Sequence, residues 1–177
     1  MNTKSQAIME IALPFGTLRL RPEQDDDDAF RFVLFCHSRP AELGRLQIEP
    51  AAYEQLMRFQ YRAQTLSYRT TFPAARFDIV ELDGAPIGRI VIDRSGRHIE
   101  IIDWAITPQM RGRGIGTAMM RAVLEEARQA SRQVRLRVAS GNDAALRLYL
   151  RLGFEPVATI PFHTELAWSG ARYPSIE

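Results

Sequence analysis

Cysteine is nearly absent from this sequence, which has only Cys36 among its 177 residues. A single thiol excludes an internal disulfide and a cysteine-rich metal site. Because Cys36 ends an apolar run that starts at Phe32, we expect a small buried side chain there rather than a catalytic thiol. Histidine is scarce too, and none of His37, His98 and His163 has a partner at metal-ligand spacing, so no metal is implied.

Long apolar runs are also missing. No stretch approaches the ~20 residues that a membrane-spanning helix needs, and segment 7–13 is too short for a signal peptide and contains Glu10. No membrane partner is implied, and we expect a cytoplasmic location. Repeats and low-complexity tracts are absent as well, and the length suits one domain. We predict a loose lead-in over residues 1–15, one domain over 16–169 and a tail over 170–177.

Neither sign of charge dominates, because 23 basic and 21 acidic residues give a formal net charge of +2. The basic residues are spread along the chain, with local enrichment at Arg111, Arg113, Arg132, Arg135 and Arg137. Such a cluster attracts a polyanion, and charge alone does not distinguish a phosphorylated small molecule from nucleic acid. Because the sequence has no recognition motif and no aromatic residues interleaved with its arginines, we expect no nucleic-acid partner.

The first half of the chain changes from a strand pattern to two helical ones. Polar and apolar residues alternate from Thr17 to Arg21, which predicts a half-buried strand ended by Pro22. The acidic run from Asp25 to Asp28 precedes an apolar segment and predicts a solvated helix start. A second helix is expected from Pro50 to about Ser67, because proline is favoured in the first turn of a helix.

Three strands in an antiparallel meander are expected next, at 77–82, 87–93 and 98–106. Asp83-Gly84 between the first two strands is a strong hairpin signal, although Ala85-Pro86 lengthens the loop. A helix over 117–131 then follows from apolar residues at helical spacing. The closing pattern is a strand at 134–138, a helix at 144–152 stopped by Gly153, and strands at 155–159 and 162–168. This order predicts an α/β (α+β) fold in which helices pack on a mixed sheet.

The stretch between the third meander strand and the next helix indicates chemistry. Gly112, Gly114 and Gly116 let the backbone approach a ligand closely, and the following helix points free N–H groups into the same space. Arg111 and Arg113 add positive charge, so the segment predicts a phosphate or pyrophosphate site. A P-loop is excluded because no lysine precedes the threonine at its end. A Rossmann turn is excluded because the glycines run G-x-G-x-G and no acidic residue ends the next strand.

Arg111-x-x-Gly114-x-Gly116 resembles the Q/R-x-x-G-x-G/A signature of the GNAT superfamily of N-acetyltransferases. Residues 142–154 resemble the N-x-x-A-x-x-x-Y-x-x-x-G-F segment of that family, and the predicted order of elements matches from Thr17 to Trp168. The resemblance implies a mostly antiparallel sheet with helices on both faces. It also implies that the sheet is splayed between the strand before the loop and the strand after the following helix. The implied activity is acetyl-coenzyme A-dependent N-acetylation.

The same resemblance implies roles for particular residues. The family's coenzyme A site maps onto the backbone of Ile106 and Thr107 for the pantetheine and acetyl carbonyl, and onto Asn142 for the pantetheine arm. The pyrophosphate would be held by Arg111, Gly112, Arg113, Gly114, Ile115, Gly116 and Thr117. Tyr149 occupies the position of the general acid next to the cofactor, and the alternative is a core aromatic residue.

The general base and the acceptor are less clearly marked. Glu100 lies five residues before Ala105, which resembles the placement of the general base in some members of the family. The alternative for Glu100 is a carboxylate at the end of a strand that only faces water, and Asp103 is the second candidate base. The acceptor would be a primary amine of a small amino acid-like molecule or a peptide. Its site would draw on the first two helices, with Phe59, Tyr61, Arg62, Tyr68 and Arg69. A non-catalytic coenzyme A-binding module is the alternative function, and exposed sheet edges suggest a homodimer.

Overall fold

The computed structural model describes residues 9–39 and 49–170. It divides into two compact units, each made of segments that are separate in sequence. The first unit contains the described residues up to Pro73 together with Phe77–Ile90 and Ala105–Met110, and the second contains the remainder. The domain boundaries expected from the sequence stay a prediction.

Eight strands form one sheet in the order β1-β2-β3-β4-β5-β6-β8-β7. The strands are β1 Glu10–Leu13, β2 Gly16–Pro22, β3 Arg76–Leu82, β4 Ala85–Asp93, β5 Ile99–Ile106, β6 Val134–Ala139, β7 Glu155–Ile160 and β8 His163–Trp168. The helices are α1 Asp28–His37, α2 Pro50–Thr71, α3 Ile115–Gln129 and α4 Asp143–Arg151, with short 3₁₀ turns at Asp25–Asp27 and Pro108–Met110. The mixed, mostly antiparallel sheet expected from the sequence is confirmed. None of the described helices is long and apolar enough to cross a membrane.

Two expectations about local structure were wrong. Strand β1 lies within the segment 1–15 for which we expected a loose lead-in, and it pairs antiparallel with β2; residues 1–8 lie outside the described residues. The hairpin between β3 and β4 is not lengthened, because β4 already begins at Ala85. Asp83 and Gly84 both have positive φ, 50° and 83°, which suits a two-residue hairpin turn whose twist matches that of the strands.

The start of α1 is less solvated than the acidic run suggested. Asp25 and Asp26 are exposed, but Asp27 is buried. Its carboxylate accepts hydrogen bonds of 2.7 Å from both terminal nitrogens of Arg21, whose Nε donates to Glu81 at 2.6 Å. The bond from Arg21 lowers the pKa of Asp27. The sequence pattern could not show the bond between Arg21 and Glu81, because it depends on β2 and β3 lying side by side.

Strands β5 and β6 run parallel and pair only near their starts, Ile99–Ile101 with Val134–Leu136. Beyond those pairs, β5 continues to Ile106 and β6 to Ala139. Meanwhile β6 pairs with β8 along its whole length. The final residues of β6 therefore pair with β8 but not with β5, as expected for a splayed sheet.

The interior of the second unit is built on α3. Its apolar face is almost completely buried, with Met119, Met120, Val123, Leu124 and Ala127 each at most 1% exposed. Trp168 and Leu166 of β8 are buried in the same unit. Each fully buried side chain of this size contributes roughly 1.5–3 kcal/mol of hydrophobic free energy. The position of the start of α3 is therefore fixed by the packing of the buried apolar face of this helix.

Candidate functional site

The loop before α3 is shaped by two glycines in the left-handed region. Gly112 has φ of 74° and Gly114 has φ of 79°. A Cβ atom added at either position would meet no atom within 4 Å. The glycines are therefore required by the backbone conformation and not by crowding, and the space in front of the loop is open.

Helix α3 begins without a side-chain cap. Its N-cap is Gly114, no side chain bonds there, and no acidic residue lies in its first turn. The carbonyl of Gly114 accepts the N–H of Ala118 at 3.0 Å, which starts the helical ladder. The N–H groups of the first turn come before this first helical bond, so they have no partner within the helix. They lie at the positive end of the dipole of a 15-residue helix. This arrangement favours an anion, as the sequence predicted.

Gly116 has a different role from the other two glycines. A Cβ atom there would lie 3.3 Å from Cδ2 of Leu148 and 3.8 Å from Nε1 of Trp104. The first turn of α3 therefore packs closely against α4 and β5. The contact fixes the loop relative to the helix that carries Tyr149.

Thr107, predicted to bond the substrate through its backbone, is engaged within the chain. Its N–H donates to the carbonyl of Ile87 at 2.9 Å, and its carbonyl accepts the N–H of Met110 at 3.0 Å. Ile106 is buried. A backbone N–H that stabilises negative charge on a substrate would therefore have to come from a residue other than Thr107.

Asn142 forms the N-cap of α4. Its side-chain oxygen accepts the N–H of Ala145 at 3.2 Å, while the residue itself is exposed. The oxygen is thus used by the helix, and the two N–H groups of the amide are what Asn142 would offer a ligand. Its predicted bond to the pantetheine arm stays a prediction.

Tyr149 lies on α4 and is only 6% exposed. Its ring meets the ring of Phe154 edge-on, with 5.6 Å between centroids. Burial raises the pKa of Tyr149 to about 12, and the negative charge of Asp103 adds to the effect. The phenol therefore stays protonated at neutral pH. Its packing fits a core residue, and the influence of Asp103 places a carboxylate of β5 in its neighbourhood.

The two candidate bases lie in different surroundings. Glu100 is hydrogen-bonded to Nε2 of His98 at 2.9 Å, and its side chain is 19% exposed. It is therefore partly buried and paired rather than free in water. Asp103 acts electrostatically on Tyr149. The structure thus associates Asp103, and not Glu100, with the candidate acid.

The residues considered for the acceptor site divide into two groups. Tyr61 is buried, its hydroxyl donates to Asp28 at 2.7 Å, and burial raises its pKa to about 12. Arg69 bonds Glu23, a carboxylate that Arg31 and Arg89 also hold, at 3.0 and 3.1 Å. These two residues have structural partners.

The other three acceptor candidates belong to the second group. Phe59 is 72% exposed, Arg62 is exposed and Tyr68 is half-buried. Phe59 and Arg62, which are both exposed, are the acceptor candidates that a ligand can reach.

Sequence reasoning missed three contributors. Trp104 and Leu148 meet the start of α3 at Gly116, and His98 pairs with the candidate base Glu100. The spacing of His98 and Glu100 contained a signal, since residues two apart on a strand share a face. The contacts at Gly116 had none, because they join three separate elements.

The acetyltransferase (GNAT) family matches the sequence over residues 34–154, which is more than half of the chain. This chain belongs to that family. The matched segment includes the glycine loop, both candidate bases and Tyr149.

Two curated relatives match parts of the chain. An uncharacterized N-acetyltransferase of Methanocaldococcus jannaschii is 36% identical over 87 residues, which is 45% of this chain and 38% of the relative. The N-alpha-acetyltransferase RimI of Mycobacterium tuberculosis is 38% identical over 78 residues, which is 42% of this chain and 48% of the relative. The chain thus spans less than half the length of these curated relatives.

A solved structure extends the likeness to most of the fold. The PaiA N-acetyltransferase from Thermoplasma acidophilum, in complex with coenzyme A, superposes with a TM-score of 0.64. The alignment covers 86% of this chain and 98% of that chain, at 16% sequence identity. At this identity the likeness concerns the fold alone.

Proposed function

We propose that this protein is an acetyl-coenzyme A-dependent N-acetyltransferase that acts on a primary amine. The observation that carries the proposal is the uncapped start of α3 behind two left-handed glycines, within the segment that matches the family. Open space in front of Gly112 and Gly114 fits a bulky diphosphate, and a bare helix start fits its charge. The residues from Arg111 to Thr117 would hold the pyrophosphate.

The pantetheine arm would lie where β5 and β6 are no longer paired. From Arg137 to Ala139, the side of β6 that faces away from β8 has backbone groups that do not bond β5. An extended amide chain can bond such groups in the manner of an added strand. The amide N–H groups of Asn142 would bond the same arm. Ile106 and Thr107 stay predictions for the acetyl end.

Acetyl-coenzyme A supplies an acetyl group activated as a thioester. The amine attacks its carbonyl carbon, so a C–N bond forms, the C–S bond breaks and the thiolate needs a proton. Tyr149 would donate that proton, since its raised pKa keeps the phenol protonated at neutral pH. A carboxylate would take the proton that the amine gives up. The electrostatic effect of Asp103 on Tyr149 favours Asp103 over Glu100.

The acceptor class is the finer part of the proposal. We propose a small amino acid-like amine or a peptide, with Phe59 and Arg62 of α2 exposed for recognition. RimI, a relative over part of the chain, is named an N-alpha-acetyltransferase, which supports a peptide N-terminus as one acceptor to test. A homodimer stays a prediction. β7, whose six residues are all exposed at one end of the sheet, is the edge it could use.

The test combines binding and turnover. Acetyl-coenzyme A should raise the melting temperature, because a ligand at 100 times its Kd stabilises the folded state by about 2.7 kcal/mol. Thiol release should then follow on one class in a panel of amino acids, peptides and polyamines. Stabilisation without release on any amine would favour the non-catalytic coenzyme A-binding module. No stabilisation would reject the loop as the coenzyme site.

Variants assign the two proton-transfer roles. Tyr149→Phe keeps the ring and should lower kcat on the order of 10²-fold while leaving the Kd of acetyl-coenzyme A unchanged. Asp103→Asn should lower kcat and alter its pH profile, and Glu100→Gln should do so less. The reverse order of the two carboxylate variants would return the base role to Glu100.

A further inference from the structure

A second group of arginines lines a cavity of about 460 Å³ within the second unit. The lining residues are Arg97, His98, Ser131, Arg132, Gln133 and Arg135. They come from the turn before β5, from the connection between α3 and β6, and from β6 itself, so both parallel strands start at this cavity. The glycine loop follows the opposite end of β5, and eight residues of strand span roughly 25 Å. The cavity is therefore separate from the candidate coenzyme site.

The lining is rich in hydrogen-bond donors and contains no carboxylate. Glu100 lies next to it and bonds His98, and Glu165 lies 3.4 Å from Nη1 of Arg135 and 4.0 Å from Nε of Arg137. The pKa of Asp93 is lowered, first by its hydrogen bond with Ser95 and to a lesser extent by Arg132 and His98. The carboxylate of Asp93 accepts the N–H of Ser95 at 2.8 Å. These three carboxylates lie outside the lining and offset part of its charge, while the lining itself contributes three arginines.

Arg132 provides a fixed positive charge in that wall. Its Nη2 donates to the carbonyls of Arg94, Gly96 and His98 at 2.8, 2.7 and 2.9 Å. The three acceptors are neutral, so they orient the guanidinium without cancelling its charge. Arg132 thus closes the β4–β5 turn and keeps a cation at the cavity.

Two other arginines have capacity left for a ligand. Nε of Arg135 is buried and has no hydrogen-bond partner within the described part of the chain. Buried donors are nearly always paired, so a buried donor without a partner is unfavourable. Arg97 is exposed, and the described residues give it no hydrogen bond or ion pair. An anion in the cavity would accept hydrogen bonds from the exposed guanidinium of Arg97 and from the part of the Arg135 side chain that is exposed, 38% of it.

Ser131 also belongs to the lining. It has φ of 51° just after the C-terminal end of α3, a position where glycine is favoured because a side chain is strained there. Strain of this kind is tolerated where the surrounding structure or a ligand uses it. Serine in place of glycine keeps a hydroxyl in the lining, beside the amide of Gln133.

We propose that this cavity binds a phosphate-bearing small molecule, distinct from coenzyme A and independent of the proposed acetyl transfer. Guanidinium groups match the oxygens of phosphate with paired hydrogen bonds. Three arginines with neutral hydroxyl and amide donors suit a compact dianion with several acceptor oxygens. The volume lies in the range of small-molecule sites.

The experiment follows the arginine Nε–Hε signals by ¹H–¹⁵N NMR of the full chain, saturated with coenzyme A and titrated with inorganic phosphate. We expect a saturable shift of the Arg135 signal and of the amides of 131–133, while the amides of 114–117 do not move. Sodium chloride at matched ionic strength should not reproduce it. Shifts equal to those in chloride would overturn the proposal, and stronger binding of succinate would overturn the phosphate assignment.

Variants make the test independent of one residue. Arg135→Gln should weaken phosphate binding at least tenfold, and Arg97→Gln, on an exposed turn, several-fold without risk to the fold. Arg128→Gln is the matched control, because it removes the same charge from an exposed helix position outside the cavity. If all three variants weakened phosphate binding equally, the cause would be the loss of net positive charge, and the proposed site would be rejected.

Discussion

Helices α3 and α4 begin in opposite ways within the same unit. The side chain of Asn142 caps α4, and Asp143 lies in its first turn, so N–H groups and dipole are satisfied by the chain itself. Gly114 leaves α3 with no side-chain cap and no acidic residue in its first turn. An N-cap side chain stabilises a helix by about 1 kcal/mol. The longer helix does without that stability, as expected where the helix start is kept for a ligand.

The largest expected effect comes from giving α3 a charged cap. Gly114→Asp would put a carboxylate where the pyrophosphate is proposed to bind. Two charges about 5 Å apart near a surface repel by about 3 kcal/mol, so the Kd of acetyl-coenzyme A should rise about 100-fold. Gly114→Asn has the same backbone strain without the charge and should bind far better. Calorimetry compares the two, and an equal loss would assign the effect to strain.

The next effect concerns the contact that joins the two helices. Gly116→Val would push into Leu148 and should lower the free energy of unfolding by about 1–3 kcal/mol. Gly116→Ala should be nearly neutral, because the flexible end of Leu148 can move by a few tenths of an ångström and alanine favours a helix. Urea unfolding measures both. If valine were as well tolerated as alanine, the close packing at this position would be refuted.

Removing the side-chain cap from α4, so that it begins like α3, should have a smaller effect. Asn142→Ala should cost about 1 kcal/mol of stability through loss of the cap. Asn142→Ser keeps a capping oxygen, so stability should be retained. The serine variant lacks the amide N–H groups, and its KM for acetyl-coenzyme A should rise several-fold if they bond the pantetheine arm. An unchanged KM would limit Asn142 to its capping role.

The smallest effect at neutral pH concerns the titration of Tyr149 on α4. Its folded pKa of about 12 exceeds the ordinary value of 10.0, so it adds stability below about pH 10 that is lost as pH rises towards 12. Tyr149→Phe should remove that part of the alkaline loss. Asp103→Asn should lower the pKa only modestly, because burial is the larger cause. Difference absorbance against Tyr149→Phe follows the titration, and an unmoved curve would show that Asp103 does not reach the phenol.

Much of the candidate site could be predicted because it depends on neighbouring residues. Alternate glycines before an amphipathic helix predicted the loop, and the structure places Gly112 and Gly114 in the left-handed region. The sequence predicted Asn142 in the loop before a helix and Tyr149 within that helix, and in the structure Asn142 is the N-cap of α4. The sequence could not show that the Thr107 N–H is already used within the chain, because this group donates to the carbonyl of Ile87 on another strand.

Local patterns in the sequence predicted the four described helices, the unusual start of α3 and the described strands other than β1. These follow from side-chain period, from the freedom of glycine and from capping, which act over a few residues. Only the folded structure shows that Asp103 influences Tyr149 and that arginines gather around a cavity at the start of β5 and β6. Such contacts join residues distant in sequence, so their strength depends on burial and distance, which no local pattern records.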